Sequence, residues 1–146
     1  MELRIAPAGV ELHVSTSGPE DGPALVLAHG WPEDHRCWRS VAPLLAERYR
    51  LLLPDQRGFG RSGMPEETAA YSMKALLSDL LGILDHFGIE RAGIVGHDVG
   101  GALAWSAGAF APHRFHRAVI LSAPHMQRLR QAGIEMVQEE VGEHRV

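Results

Sequence analysis

The stretch GHDVGG at residues 96–101 decides the fold that we predict. It follows an apolar run at residues 92–96, typical of a strand buried on both faces. A run rich in alanine and glycine, residues 99–110, comes next and predicts a helix packed close to a sheet. Strand, glycine-flanked turn and helix match the nucleophile elbow pattern G-x-S-x-G, with aspartate in place of serine. We therefore predict that Asp98 stands above the carboxyl end of a strand.

The rest of the chain repeats this alternation of apolar strands and helices. Strands are predicted at residues 24–28, 51–53, 92–96 and 118–122, helices at 34–48, 73–87 and 99–110, and an opening hairpin at 3–5 and 10–14. This order predicts right-handed βαβ units, that is, an α/β fold with a mostly parallel sheet and helices on both faces. Sites in such sheets lie at the carboxyl ends of the strands.

Asp98 has the chemistry of a nucleophile in this setting. The N-terminus of the following helix stabilises negative charge through its N–H groups and dipole. A carboxylate held there can attack carbon without a base to deprotonate it. The competing interpretation is an ordinary aspartate that caps the helix.

A second motif, HGWP at residues 29–32, follows the earlier strand 24–28. This position places the main-chain N–H of Trp31 close to that of Val99, so that both can face one oxygen as an oxyanion hole. Pro32 after an aromatic residue is a candidate for a cis peptide bond. A plain strand-to-helix loop is the alternative.

A third motif, DQRGFGRS at residues 55–62, completes a series of three. In this order and spacing the motifs resemble α/β-hydrolases of the epoxide hydrolase and haloalkane dehalogenase branch, from about residue 10 to residue 125. The resemblance implies that Asp98 forms an alkyl ester, which a histidine–acid pair then hydrolyses. It also implies supporting roles for His29, Gly30, Pro32, Gly96, His97 and Gly100, with both histidines architectural rather than the catalytic base.

Two residues favour an epoxide over an alkyl halide as the substrate. Haloalkane dehalogenases usually follow the nucleophile with a tryptophan that holds the halide, whereas Val99 has no side-chain donor. They often have asparagine after His-Gly, where this chain has Trp31. A haloalkane dehalogenase-like hydrolase remains the alternative, and a non-catalytic hydrolase-fold binding module is the alternative from another class.

The resemblance covers only about half of that fold. We expect residues 1–125 to form the N-terminal half of the hydrolase core and residues 126–146 to begin the lid. The family's base and its lid tyrosines have no counterpart in these motifs, so the chain is expected to be truncated and unable to turn over. Residues 117–122 would then be an exposed sheet edge through which the chain self-associates.

Composition limits the other functions. The net charge of −4 does not favour a nucleic-acid or membrane partner, and the one cysteine fits a reducing compartment. We expect a cytoplasmic protein with a small-molecule substrate, no cofactor and no metal. The stretch GFGRSG at residues 58–63 satisfies G-x-G-x-x-G, but no helix follows it at once, which disfavours dinucleotide binding. The pair His113 and His116 has arginine neighbours, which disfavours a metal.

Overall fold

A computed structural model describes residues 1–125 of the chain, and these form one six-stranded sheet with helices. The predicted lid region, residues 126–146, lies outside the described residues. The strands are β1 (Glu2–Ile5), β2 (Leu12–Ser17), β3 (Ala24–Ala28), β4 (Arg50–Pro54), β5 (Ala92–His97) and β6 (Phe115–Leu121). The α-helices are α1 (Ala42–Leu45), α2 (Met73–His86) and α3 (Val99–Phe110), with 3-10 turns at His35–Trp38 and Thr68–Tyr71.

The sheet has the order β1-β2-β4-β3-β5-β6. The pairs β3–β4, β3–β5 and β5–β6 are parallel, while the N-terminal hairpin β1–β2 and its junction with β4 are antiparallel. The order reverses at β3, so β3 and β5 are neighbours and their carboxyl ends lie side by side. The predicted mostly parallel sheet is confirmed.

The side chains of β3 divide the interior into two layers. Val26 and Ala28 pack with α2 and α3 in the larger core cluster. Leu25 and Leu27 point to the opposite face, where Trp38 and α1 cover them. Strand side chains alternate in direction, so one continuous apolar run can supply both layers. Helices on both faces are therefore confirmed as well.

The prediction of one helix over residues 34–48 is wrong. The chain forms the 3-10 turn His35–Trp38 and then the single-turn helix α1. Pro43 lies in the first turn of α1, where its missing N–H costs nothing. In the middle of a longer helix the same proline would remove a hydrogen bond and clash with the preceding turn.

A buried ion pair ties the loop after β4 to helix α2. Arg57 donates from Nε and Nη2 to the two carboxylate oxygens of Asp79, at 2.7 and 2.6 Å, and from Nη1 to the carbonyl of Ala70 at 2.7 Å. Both side chains of the pair are 6% exposed. The hydrogen bonds to Asp79 raise the pKa of Arg57, so the guanidinium stays charged. This bidentate pair fixes the DQRG motif against the main core.

Strand β6 forms one edge of the described sheet. It pairs with β5 on one side only, and Val119 and Leu121 are 52% and 42% exposed. Its start at Phe115 is three residues earlier than predicted. Among residues 1–125, no helix is both long enough and apolar enough to cross a membrane.

Candidate active site

Asp98 stands in the sharp turn between β5 and α3. Its backbone has φ 53° and ψ −116°, a conformation that non-glycine residues rarely adopt. Its side chain makes no capping hydrogen bond to α3, although its carbonyl accepts from the N–H groups of Gly101 and Ala102. The carboxylate therefore faces away from its own helix, unlike that of an ordinary capping aspartate.

Gly96 and Gly100 flank this turn, and neither leaves room for a side chain because neighbouring backbone atoms lie too close. A Cβ on Gly96 would lie 2.0 Å from the carbonyl oxygen of Gly100. A Cβ on Gly100 would lie 2.2 Å from the carbonyl oxygen of Ala28 and 2.5 Å from that of His29. Both contacts are with backbone atoms, which cannot move aside as a flexible side chain can. These glycines let α3 begin directly against β3.

Substitution Gly100→Ala is expected to destabilise the fold by about 3 kcal/mol, because the added methyl overlaps the backbone of β3. Gly108→Ala in the same helix is the matched control, since a Cβ there meets nothing within 4 Å. The control should stabilise the protein by about 0.5–1 kcal/mol through its helix propensity. Urea unfolding followed by circular dichroism measures both effects. Equal effects of the two substitutions would show that the close approach at Gly100 does not exist.

The Trp31 main chain meets the Asp98 carboxylate. Its N–H donates to Asp98 Oδ1 at 3.0 Å. The Trp31–Pro32 peptide bond is cis, as predicted, and the indole of Trp31 is 67% exposed. Val99 is the first residue of α3, and its N–H has no acceptor within residues 1–125. Of the two predicted oxyanion-hole donors, the Trp31 N–H therefore contacts the Asp98 carboxylate. The Val99 N–H follows Asp98 in the chain but does not contact that carboxylate.

His29 is fully buried, and both of its ring nitrogens are occupied. Nδ1 faces the Gly30 carbonyl at 2.8 Å and therefore carries the hydrogen. Nε2 accepts the N–H of Gln56 at 2.9 Å, while the Gln56 side chain donates to the His29 carbonyl. Burial lowers the pKa of His29, and the neutral ring joins the HGWP turn to the DQRG loop.

Glu33 was not identified as a candidate from the sequence, yet it holds the turn together. Its Oε2 accepts the N–H of Gly30 at 3.0 Å and lies 3.1 Å from His97 Nδ1. Burial tends to raise the pKa of Glu33, but these two contacts outweigh it and the pKa falls below its usual value. The signal available in the sequence is an acidic residue directly after the HGWP motif.

Asp55, the first residue of the third motif, is a buried carboxylate that collects four N–H donors. Oδ1 accepts from the main chain and Nδ1 of His35 at 2.8 and 2.7 Å. Oδ2 accepts from His13 Nδ1 at 2.9 Å and the Arg61 main chain at 3.0 Å. Burial raises the pKa of Asp55, but the donors of His35 and Arg61 outweigh it, and the net pKa is lowered.

Cys37 is the other nucleophilic side chain near these loops. Burial raises the pKa of its thiol to about 12, and the carboxylates of Glu33, Asp34 and Asp55 add to this effect. A thiol with such a pKa forms almost no thiolate at neutral pH. Cys37 therefore does not compete with Asp98 for an electrophile.

Comparison with known proteins agrees with this geometry. A model of the alpha/beta hydrolase fold family matches residues 23–138. The chain belongs to the alpha/beta hydrolase fold family. The predicted family, fold class and assignment to an enzyme family are confirmed.

Several relatives of this hydrolase-family chain are named epoxide hydrolases. Epoxide hydrolase A of Mycobacterium tuberculosis is 39% identical over 137 residues, covering 93% of this chain and 42% of the relative. The AB hydrolase superfamily protein YfhM of Bacillus subtilis is 39% identical over 118 residues, 80% of this chain and 41% of the relative. The crystal structure of epoxide hydrolase A from Mycobacterium thermoresistibile is 37% identical with a TM-score of 0.83, over 91% of this chain and 43% of that one. The chain thus spans about two fifths of the length of these relatives.

Proposed function

We propose that Asp98 is the nucleophile of an epoxide-hydrolase-like reaction and that Trp31 and Val99 supply its oxyanion hole. The observation that carries the proposal is the hydrogen bond from the Trp31 N–H to Asp98 Oδ1. This bond supports different roles for the two carboxylate oxygens. Oδ1 stays with the main-chain donor, and Oδ2 attacks the substrate.

In the first step Oδ2 attacks one carbon of the epoxide ring. A C–O bond forms to Asp98 while the ring C–O bond breaks, and the released alkoxide takes a proton from solvent. In the second step water gives a proton to a base and attacks the carbonyl carbon of the new ester, which places negative charge on Oδ1; the same proton then goes to the leaving alkoxide oxygen. The N–H groups of Trp31 and Val99 stabilise that charge, and collapse releases a diol and restores the carboxylate.

Two observations support an epoxide as the substrate class. Val99 follows the nucleophile and offers no side-chain donor to a departing halide. The relatives described above from two mycobacteria are named epoxide hydrolases. An epoxide keeps its leaving oxygen attached to the product, so no separate halide site is needed.

The ester is proposed to persist in the 146-residue polypeptide. Within residues 1–125 no histidine hydrogen-bonds to Asp98, and the neighbouring His97 has Nδ1 against Glu33. His29 has both ring nitrogens in use. Since water needs a positioned base to attack an ester quickly, the described residues can complete the first step but not the second.

Intact-mass spectrometry after incubation with styrene oxide tests the proposal. The expected result is a protein heavier by the full mass of one epoxide, with no more than a single diol released per polypeptide. A parallel incubation with 1-chlorobutane distinguishes the haloalkane alternative, because a halide substrate would add only its alkyl group. Multiple turnovers would contradict the persistence of the ester. The absence of both adduct and diol would contradict Asp98 as the nucleophile.

We also propose that the polypeptide self-associates through β6. The half-exposed side chains of Val119 and Leu121 lie on a strand that pairs on one side only within residues 1–125, and such an edge invites pairing with another chain. Val119→Lys should shift the mass measured by light scattering towards that of the monomer. Val41→Lys is the control, since Val41 is 44% exposed but stands at the start of α1 and not on β6. A monomeric wild-type chain would refute the proposal.

A further inference from the structure

A second group of polar side chains surrounds Asp55 on the side of the N-terminal hairpin. His13 lies on β2, His35 begins the 3-10 turn after the HGWP loop, and Asp55 follows β4. Each oxygen of the Asp55 carboxylate faces Nδ1 of one histidine, at 2.9 Å for His13 and 2.7 Å for His35. The Asp55 side chain has no exposed surface.

This arrangement fixes the tautomers of both rings. A carboxylate that receives four N–H contacts only accepts, so Nδ1 of His13 and of His35 must carry a hydrogen. In the neutral rings Nε2 is then left with a lone pair. The ring centroids are 4.9 Å apart, so the two rings are neighbours. In both rings it is Nδ1 that hydrogen-bonds to Asp55.

Glu2 completes the group from the neighbouring strand. In the hairpin register Arg4 faces His13, so Glu2 lies two residues further along β1, diagonal to His13 and on the same face. Its Oε2 contacts His13 Nε2. One ligand atom from each of Glu2, His13 and His35 lies within 4.8 Å of the other two.

A carboxylate oxygen this close to an imidazole nitrogen is favourable only with a positive charge between them, either a proton on Nε2 or a bound metal ion. The nearest positive side chain is Arg61, whose Nη1 is 3.5 Å from both Glu2 Oε2 and His13 Nε2. At 58% exposure that side chain is free to move outward. The Arg61 guanidinium therefore occupies a position from which a cation that binds Glu2 and His13 more tightly can displace it.

We propose that Glu2, His13 and His35 bind a divalent transition-metal ion of the zinc class, with Asp55 orienting both imidazoles from behind. Two imidazole nitrogens and one carboxylate suit zinc and cobalt(II) better than magnesium, which prefers oxygen ligands and water. Hydrogen bonding of Nδ1 to a carboxylate is the arrangement that positions metal-binding histidines in proteins. The charges of Glu2 and Asp55 together balance those of a divalent ion.

The sequence does not reveal this group, because its members stand at positions 2, 13 and 35 with no motif spacing between them. Only the antiparallel register of β1 and β2 and the turn after β3 bring them together. The group lies outside the Asp98 site, so metal binding can be measured without any reference to hydrolysis.

Titration of the 146-residue polypeptide with Zn²⁺ in a calorimeter, and with Co²⁺ followed by visible absorption, tests the proposal. We expect one site that binds Zn²⁺ and gives a cobalt spectrum of low coordination number, with no binding of Mg²⁺ at the same concentration. Glu2→Gln and His35→Gln should each weaken binding by at least about tenfold. Arg61→Gln should strengthen it, because the competing guanidinium is gone.

His116→Gln is the matched control, since it removes an exposed histidine on β6 and should leave binding unchanged. Glu2 and Arg61 are surface side chains, so their variants report on the site even if His35→Gln disturbs the fold. The proposal is overturned if wild type binds neither ion. It is equally overturned if Glu2→Gln and Arg61→Gln both bind like wild type, or if His116→Gln abolishes binding.

Discussion

Asp98→Asn is expected to lower the rate of covalent capture of an epoxide by at least about 10³-fold. The amide nitrogen has no lone pair free for attack, and the remaining carbonyl oxygen is a poor nucleophile. The substitution keeps the size of the side chain and the acceptor for the Trp31 N–H. Asparagine also tolerates the positive φ of 53° at this turn better than most residues do. The loss should therefore come from chemistry and not from unfolding.

The measurement is a time course of intact mass in excess styrene oxide, with Glu90→Gln as the control. Glu90 is an exposed carboxylate just before β5, and its loss changes the net charge by the same amount. The control should form the adduct at the wild-type rate. If Asp98→Asn instead captured the epoxide as fast as the control, another side chain would be the nucleophile. A binding module would show reversible binding of the epoxide in both variants and no adduct in either.

Asp79→Asn is expected to cost about 3–5 kcal/mol of unfolding free energy. The substitution leaves the Arg57 guanidinium buried at 6% exposure with a neutral partner in place of a carboxylate. A buried charge without its partner is costly because it has lost water without regaining an equivalent interaction. Much of the marginal stability of a domain this size would be lost.

Asp85→Asn provides the comparison on the same helix. Asp85 also pairs with an arginine, Arg114, at 2.7 Å, but its side chain is 67% exposed. Its loss should cost less than about 1 kcal/mol, as for other surface pairs. Replacing both buried partners with Arg57→Leu and Asp79→Leu should recover part of the stability lost in Asp79→Asn. Equal unfolding free energies for Asp79→Asn and Asp85→Asn in urea titrations would contradict the importance of burial.

The order of strands and helices could be predicted because each buried strand is one uninterrupted apolar run. Residues 24–28 illustrate this, since they became β3 with its bounds unchanged. The prediction of one helix over residues 34–48 failed because it left out Pro43, which stands at the start of α1 and cannot stand in the middle of a longer helix. The strand around residue 118 was predicted to start too late because His116 and Arg117 separate the apolar Phe115 from the apolar run that follows.

The centre of the candidate site was also accessible from sequence, for a topological reason. The HGWP motif follows β3 and the GHDVGG motif follows β5, and adjacent parallel strands place their carboxyl ends together. This is why Trp31 and Asp98 could be expected to meet. Glu33 could not be assigned in the same way, since its partner His97 is 64 residues away and acidic residues are common in loops. The same holds for His13 and His35, which stand at no motif spacing although their rings are neighbours and both contact Asp55.

Mapping the styrene oxide adduct by fragment-ion mass spectrometry tests the central claim most directly. Trypsin releases residues 92–114, in which Asp98 is the only side-chain carboxylate. We predict that the added mass lies on this peptide and that the fragment ions place it on Asp98. An adduct on His97, on another peptide, or no adduct at all would contradict the claim that Asp98 is the nucleophile.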